Sequence, residues 1–281
     1  IKNSHEINHM IEAHKKYGLA LTKFIYWIKN INKKLITEVE AQNKLEKFRK
    51  LNKNYLFPSF NTIAGSGSNG AIVHYRAKTK TTKKINKNDL FLVDSGGQYN
   101  YGTTDVTRTI CFGSQKKLIK NAYTNVLKGH IAVALTDLSR DDTGKKIDIR
   151  ARKFLKKEGL DYAHGTGHGV GFFLNVHEGP QSISKNNTIK IKEGMILSNE
   201  PGYYKKNNFG IRIENLIYVE KFKNKLFFKN FTLAPIEKDL INYELLNNIE
   251  KDYLFKYHLS IYAEYSDLLN KKERKWLASL I

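Results

Sequence analysis

The sequence predicts an α+β domain built of two similar halves and followed by a C-terminal helical extension. Two pairs of amphipathic helices each alternate with short, hairpin-like strands, which indicates two related αβ units. Beyond residue 235 the strand patterns stop and apolar residues recur at helical spacing. The chain has 281 residues, of which 41% are hydrophobic, so it can bury a substantial core. We expect a main domain over 1–235 and an appendage over 236–281.

The helices of the two halves are predicted from the spacing of their apolar side chains. Between residues 7 and 28 these side chains recur every three or four positions, which is typical of an amphipathic helix. Thr37 and Glu40 match a capping box at the start of a second helix. Further helices are predicted over residues 117–135 and from Ile147 past Phe154. The first two helices each need a sheet to cover their apolar face.

The strands are predicted as short β-type runs between glycine-rich or lysine-rich turns. Three precede the third helix and three follow the fourth, over residues 71–75, 90–94, 106–112, 195–199, 211–219 and 226–231. From Ile236 onwards the pattern becomes helical. Because no low-complexity linker separates this tail, we expect it to pack on the main domain or on a partner.

Composition narrows the classes of function. A formal net charge of +21 could indicate a nucleic acid or an anionic membrane as partner, yet the lysines are scattered through nearly every segment, so we predict neither. The lone Cys111 cannot form an internal disulfide, and no apolar run reaches 18 residues. We therefore expect a cytoplasmic protein. Since the first residue is Ile1 rather than Met, we also expect a piece of a longer polypeptide.

Four acidic residues stand at the ends of predicted strands or within them. Asp94 ends one strand and Asp105 begins the next, so their carboxylates can converge on one point. Glu200 follows another strand, and Glu214 lies inside an otherwise apolar one. Acids at strand ends are more often turn or cap residues, and Glu214 could simply pair with Arg212. The acids alone leave both interpretations open.

The histidines favour an assembled site. His164 and His168 stand among four glycines, where a lack of side-chain bulk lets an imidazole approach a ligand closely. His177 follows shortly afterwards, and His74 lies near the end of an earlier predicted strand. A lone histidine would more often be a core or surface residue. Two in one glycine-rich segment, with two more nearby, indicate a functional site.

Several motifs together resemble aminopeptidase P, in particular the catalytic portion of its cytosolic, three-domain form. They lie at residues 94–97, 102–109, 164–171, 175–180, 199–204 and 210–215. The resemblance covers nearly the whole chain. It implies the pita-bread fold of the methionine aminopeptidase and prolidase superfamily, which agrees with two similar halves.

The resemblance implies a dinuclear metal site. Its ligands fall on residues of the expected types, namely Asp94, Asp105, His168, Glu200 and Glu214, of which Asp105 and Glu214 would bridge the ions. Four carboxylates and one imidazole form an oxygen-rich set that suits Mn²⁺. Two such ions can activate a water and polarise the scissile carbonyl. Glu200 would also carry the proton from that water towards the leaving nitrogen.

The resemblance also implies which residues bind the substrate. His74 and His177 would steady the substrate and the tetrahedral intermediate by hydrogen bonding. His164 and Tyr204 would form the walls of the proline pocket, although Tyr204 could equally be a core residue. Arg212, beside the bridging glutamate, would orient its neighbours.

The expected activity is hydrolysis of the bond between an N-terminal residue and a penultimate proline, and the expected substrates are such peptides. A prolidase-like dipeptidase, or a pita-bread binding module without catalysis, would be the alternatives. The complete ligand set, the segment 175–180 and the helical tail favour aminopeptidase P. In the cytosolic members the tail supports a homodimer, which we expect here of residues 236–281. The run 65–70 lacks the Gly-Lys-Ser/Thr ending of a phosphate-binding loop and is predicted to be an ordinary loop.

Overall fold

The computed structural model describes residues 1–31 and 36–281 and confirms the α+β fold class. The helices in these residues are α1 (Ser4–Lys29), α2 (Glu38–Arg49), α3 (Lys117–Ala134), α4 (Gly144–Lys157), α5 (Asn248–Tyr265) and α6 (Lys271–Ala278). The strands are β1 (Tyr55–Pro58), β2 (Ile63–Ser66), β3 (Phe91–Ser95), β4 (Gly97–Tyr99), β5 (Gly102–Thr103), β6 (Val106–Ile110), β7 (Gly167–Gly169), β8 (Glu178–Ile183), β9 (Ile196–Asn199), β10 (Gly202–Lys205), β11 (Phe209–Arg212), β12 (Asn215–Phe222) and β13 (Lys225–Asn230). Helices thus alternate with strands in both halves of the main domain.

Each half combines a helix pair with an antiparallel sheet. In the first half, β2, β3 and β6 form a sheet in which β3 is central, and the neighbouring strands β1, β4 and β5 form a second small sheet. In the second half, the order is β13-β12-β9-β7-β8. The hairpin of β10 and β11 lies between β9 and β12 along the chain. Helices α1 and α2 contact each other, as do α3 and α4, so each pair covers its own half.

Helix α2 begins where the sequence indicates, whereas α1 begins at Ser4, three residues before the predicted start at residue 7. The hydroxyl of Thr37 accepts a hydrogen bond from the Glu40 amide, and the Glu40 carboxylate accepts one from the Thr37 amide, which completes the predicted capping box. Helix α1 starts with a second such box, formed by Asn3 and Glu6. The apolar stripe of α1 is buried, and Tyr17 in it is completely inaccessible to solvent. Burial of this stripe therefore joins α1 to the first half.

The prediction of a strand over 71–75 is wrong. A short 3-10 turn occupies Gly67–Ala71, and the chain then continues as turns. The cause is the completely buried Glu38, whose carboxylate accepts hydrogen bonds from the Asn69 side chain and the Tyr75 hydroxyl. These polar contacts hold the segment as a compact loop, and its backbone bonds locally, with the Ile72 amide donating to the Asn69 carbonyl and the Tyr75 amide to the Ile72 carbonyl.

The predicted strand over 211–219 is interrupted. The ladder of β11 ends at Arg212, and β12 begins at Asn215 in a different sheet. Between them the Ile213 amide donates to the Pro201 carbonyl, and the Glu214 amide donates to the Thr107 carbonyl. The chain therefore crosses from one sheet to another at Glu214, and this carboxylate lies where the two halves meet.

The tail packs on the main domain. Leu254, Tyr257 and Ile261 of α5 are buried in the same apolar cluster as residues of α3 and β11. The buried Arg108 on β6 reinforces this contact, because its guanidinium donates to the Ala234 carbonyl and the Tyr257 hydroxyl. Within the described part of the chain, no helix combines the length and the apolar character needed to cross a membrane.

Candidate metal centre

The structure brings the predicted ligands together at one cavity of about 420 Å³. They come from both halves and from different elements: Asp94 on β3, Asp105 just before β6, His168 on β7, Glu200 directly after β9 and Glu214 between β11 and β12. Residues far apart along the chain therefore share one wall. Antiparallel pairing of β3 with β6 and of β9 with both β7 and β12 produces this convergence.

The donor atoms lie close enough to share metal ions. One atom each from Asp105, His168 and Glu214 lies within 4.8 Å of the other two. The Nε2 atom of His168 is 3.5 Å from Asp105 Oδ2 and 3.3 Å from Glu200 Oε1. Asp94 Oδ1 is buried without a hydrogen-bond partner in the described residues. A bound cation would give such an oxygen a partner.

The carboxylates repel one another. Burial, followed by the negative charges of neighbouring acids, raises the pKa of Asp105 and of Glu214 well above the usual range. Burial alone would also raise the pKa of Glu200, but the positive character of His168 and other neighbours outweighs it and lowers that pKa. This surplus of negative charge, with oxygen donors in the majority, fits divalent cations.

Close packing of strands β7 and β9 sets the position of two of these side chains. A Cβ atom on Gly167 would lie 1.9 Å from the Ser198 carbonyl oxygen, so only glycine allows this approach. The Ser198 hydroxyl then accepts a hydrogen bond from the His168 amide and donates one to Glu200 Oε1, each at 2.9 Å. Ser198 thereby couples the imidazole and the carboxylate.

Two residues whose hydroxyl groups hold the predicted ligands in place were not predicted from the sequence. Thr107 donates to Glu214 Oε2 at 2.6 Å, and Ser198 holds Glu200. Each lies two positions from a predicted ligand, Thr107 after Asp105 and Ser198 before Glu200. Side chains two apart on a strand point to the same face, so the period of two was the available signal.

Arg212 belongs to a chain of polar contacts that borders the cavity. Its Nη2 donates to Asp94 Oδ2 at 2.6 Å, so its ion pair is with Asp94 rather than the Glu214 considered from sequence. Its Nη1 donates to the Tyr204 hydroxyl at 2.7 Å, and that hydroxyl lies 2.8 Å from His164 Nε2. Tyr204 therefore links Arg212 to His164, and burial raises the pKa of Tyr204 to about 12. The interpretation of Tyr204 as a mere core residue does not account for these contacts.

The remaining predicted histidines also border the cavity. His74 lies on the loop held by Glu38 and is exposed, whereas the ring of His177 is centred 4.1 Å from that of His168. Burial lowers the pKa of both His177 and His164, so each imidazole is neutral at neutral pH. A neutral imidazole can donate one hydrogen bond and accept another.

Comparisons with known proteins agree with this architecture. The profile of metallopeptidase family M24 matches residues 8–221, and that of the C-terminal region of peptidase M24 matches residues 224–280. A probable Xaa-Pro aminopeptidase P from Paracoccidioides brasiliensis (strain Pb03) is 43% identical over 293 residues, covering 99% of this chain and 48% of the relative. The chain spans about half the length of the curated relatives it matches.

Two solved structures show the same fold. The X-prolyl aminopeptidase from Caenorhabditis elegans, described as a cytosolic enzyme with a di-nuclear active site, has a TM-score of 0.94 and 38% identity, covering 99% of this chain and 48% of its own. Prolidase from Pyrococcus furiosus has a TM-score of 0.71 and 30% identity, covering 84% of this chain and 66% of its own. These likenesses confirm the pita-bread fold and the resemblance to aminopeptidase P. A family profile that extends over most of the chain, together with such relatives, establishes that the chain belongs to metallopeptidase family M24.

Proposed function

We propose that this chain is the catalytic part of an Xaa-Pro aminopeptidase, which removes an N-terminal residue that precedes proline. The observation that carries the proposal is the meeting of Asp105, His168 and Glu214 within 4.8 Å in a cavity that Asp94 and Glu200 also line. The names of the relatives from Paracoccidioides and Caenorhabditis support it. The prolidase likeness keeps dipeptide hydrolysis as the second candidate.

We assign the two metal ions to five side chains, Asp94, Asp105, His168, Glu200 and Glu214, and we assign the ions as Mn²⁺ because the donors are mostly oxygen. When bound, such ions supply a nucleophile from water and polarise the scissile carbonyl. The buried, unpartnered oxygen of Asp94 and the mutual repulsion of the acids support this assignment.

The chain's own groups then handle the proton and the substrate. Glu200 is the general base, since Ser198 binds one of its oxygens and leaves the second oxygen free of that hydroxyl. His74 and His177 donate hydrogen bonds to the substrate and to the oxyanion that develops. His164 forms a wall of the proline pocket, where Tyr204 restrains its ring.

Cleavage of matched tripeptides tests this function. We expect the Mn²⁺-loaded protein to release arginine from Arg-Pro-Pro and to leave Arg-Ala-Ala nearly untouched, because the pocket selects a ring without an amide hydrogen. Chromatographic measurement of free arginine, with a chelator-treated sample as control, gives both rates. Cleavage of the dipeptide Arg-Pro alone would favour the prolidase alternative, and equal rates on both tripeptides would contradict the proposal.

We also propose that the protein acts in the cytoplasm as a homodimer in which the C-terminal helical extension, residues 236–281, contributes the contact. Much of the tail's apolar surface is buried on the main domain, yet Phe255 and Leu259, one turn apart on α5, are 49% and 44% exposed. Exposed apolar side chains at this spacing form a candidate contact face.

Introducing negative charges on that face tests the dimer. Truncation after Pro235 would remove part of the core, so we prefer the double variant Phe255→Glu/Leu259→Glu. We expect light scattering to give a dimer for the parent and a monomer for the variant, with metal content unchanged. Leu118→Glu, on an exposed position of α3, is the matched control. A parent protein that is already monomeric, or a variant that stays dimeric, would contradict the proposed dimer contact at Phe255 and Leu259.

A further inference from the structure

Helix α4 buries an ion pair that no part of the proposed chemistry uses. Asp148 and Arg152 lie one turn apart, are at most 1% exposed, and are joined by an Nε–Oδ2 hydrogen bond of 2.7 Å. Burying two charges costs desolvation free energy, and apolar residues of similar volume would stabilise a helix face at least as well. The other hydrogen bonds of Asp148 and Arg152 show which segment of the chain the pair holds in place.

The guanidinium of Arg152 holds the backbone that leads to His164. Its Nη1 donates to the Tyr162 carbonyl and its Nη2 to the His164 carbonyl, both at 2.7 Å. The same guanidinium lies 3.9 Å from the centre of the Tyr162 ring, and Asp161 accepts a further bond from it. A planar fork that binds two nearby backbone carbonyls leaves His164 little freedom.

Asp148 reaches the other end of the same segment. Its Oδ1 accepts a hydrogen bond of 2.6 Å from the Thr166 hydroxyl, and the Thr166 carbonyl accepts the Glu200 amide at 2.8 Å. Thr166 is completely buried and stands two residues before His168. Asp148 is thus connected through one residue to the two ligands His168 and Glu200.

We infer that the buried Asp148–Arg152 pair positions two parts of the site, which we call its substrate output and its metal output. Arg152 sets His164 and hence the substrate pocket, whereas Asp148, through Thr166, sets the spacing of His168 and Glu200. This inference rests on the proposed function for the substrate output, but the metal output follows from the ligand positions alone. Groups that orient metal ligands commonly change metal affinity or activity about 10- to 100-fold when altered.

The test separates the two outputs with two variants. Thr166→Val removes the hydroxyl at nearly constant volume, and we expect Mn²⁺ affinity by calorimetry and kcat on Arg-Pro-Pro to fall about 10- to 100-fold, with KM unchanged. Thr166→Ser, which keeps the hydroxyl, should restore both. Arg152→Lys keeps the charge but loses the fork, so KM should rise about tenfold while Mn²⁺ affinity stays unchanged. The Arg152→Lys variant also tests the inference if Thr166→Val does not fold.

A partly buried ion pair outside the cavity provides the control. Lys128 on α3 pairs with Glu250 on α5 at 2.7 Å, and Lys128→Met should lower the melting temperature without changing kcat, KM or Mn²⁺ affinity. The inference is overturned if Thr166→Val and Arg152→Lys change the same parameters in proportion to lost stability, or change nothing beyond the control. An inactive parent protein would contradict the proposed function, whereas the Mn²⁺ titrations would still decide the metal output.

Discussion

Replacing Glu200 or His168 by alanine is expected to lower kcat on Arg-Pro-Pro by at least about 1000-fold, because each removes a proposed ligand and Glu200 also transfers the proton. The two side chains lie 3.3 Å apart, so both variants would disturb the same proposed ion. His164→Ala should act differently. It removes a wall of the pocket, so we expect KM to rise about tenfold and kcat to change little.

The measurement combines steady-state kinetics with metal analysis of each purified variant. Glu193→Ala is the matched control, since Glu193 is exposed and does not border the cavity described above. Circular dichroism must show that every variant is folded. Near-normal turnover of the Glu200 variant would refute the mechanism, and a His164 variant that loses kcat alone would refute its assignment to the pocket.

Saturating Mn²⁺ is expected to raise the melting temperature of the metal-stripped protein by roughly 10 °C. Ligands that bind only the folded state stabilise it by about 4 kcal/mol each at a thousandfold excess over Kd. This rise in melting temperature should be large, because the carboxylates of the cavity repel one another when no cation is bound. Asp105→Asn should remove most of the response to Mn²⁺.

The same variant, Asp105→Asn, is expected to raise the melting temperature of the metal-free protein. The raised pKa of Asp105 means that the folded state retains a proton which the unfolded chain releases above about pH 4. Folding therefore takes up a proton in the pH window between the ordinary pKa and the raised pKa of Asp105, and stability falls as pH rises through that window. An amide at this position neither ionises nor repels the neighbouring carboxylates, so apo Asp105→Asn should melt above the apo parent at pH 7 and depend less on pH.

Differential scanning calorimetry of both proteins, with and without Mn²⁺, checks both signs. Asp267→Asn serves as control, because Asp267 is exposed on the surface of the tail. If apo Asp105→Asn melts below the apo parent, repulsion among these carboxylates does not limit the stability of the metal-free protein. If the parent shows no response to Mn²⁺, the assignment of the ligand set is refuted.

Patterns with a local cause were predictable. Thr37 and Glu40 cap α2 as expected, because a capping box is completed within four residues. The strands predicted to end at Asp94 and at Asn199 were also located within a residue or two, since apolar runs flanked by turns indicate strands. The prediction of a strand over 71–75 was wrong, because this segment is held by contacts with Glu38, which lies more than thirty residues away along the chain.

The sequence by itself determined which chemistry the chain can carry. Residue types and motifs shared with the family predicted the carboxylates and histidines of the site, and local periodicity predicted most of the helices and strands. Only the tertiary structure decided which of these groups meet, which hydroxyls hold them, and that Arg212 pairs with Asp94 instead of Glu214. The physical reason is that distances between side chains far apart along the chain depend on strand pairing and on burial of whole helix faces. Those are properties of the assembled sheets, and no single segment encodes them.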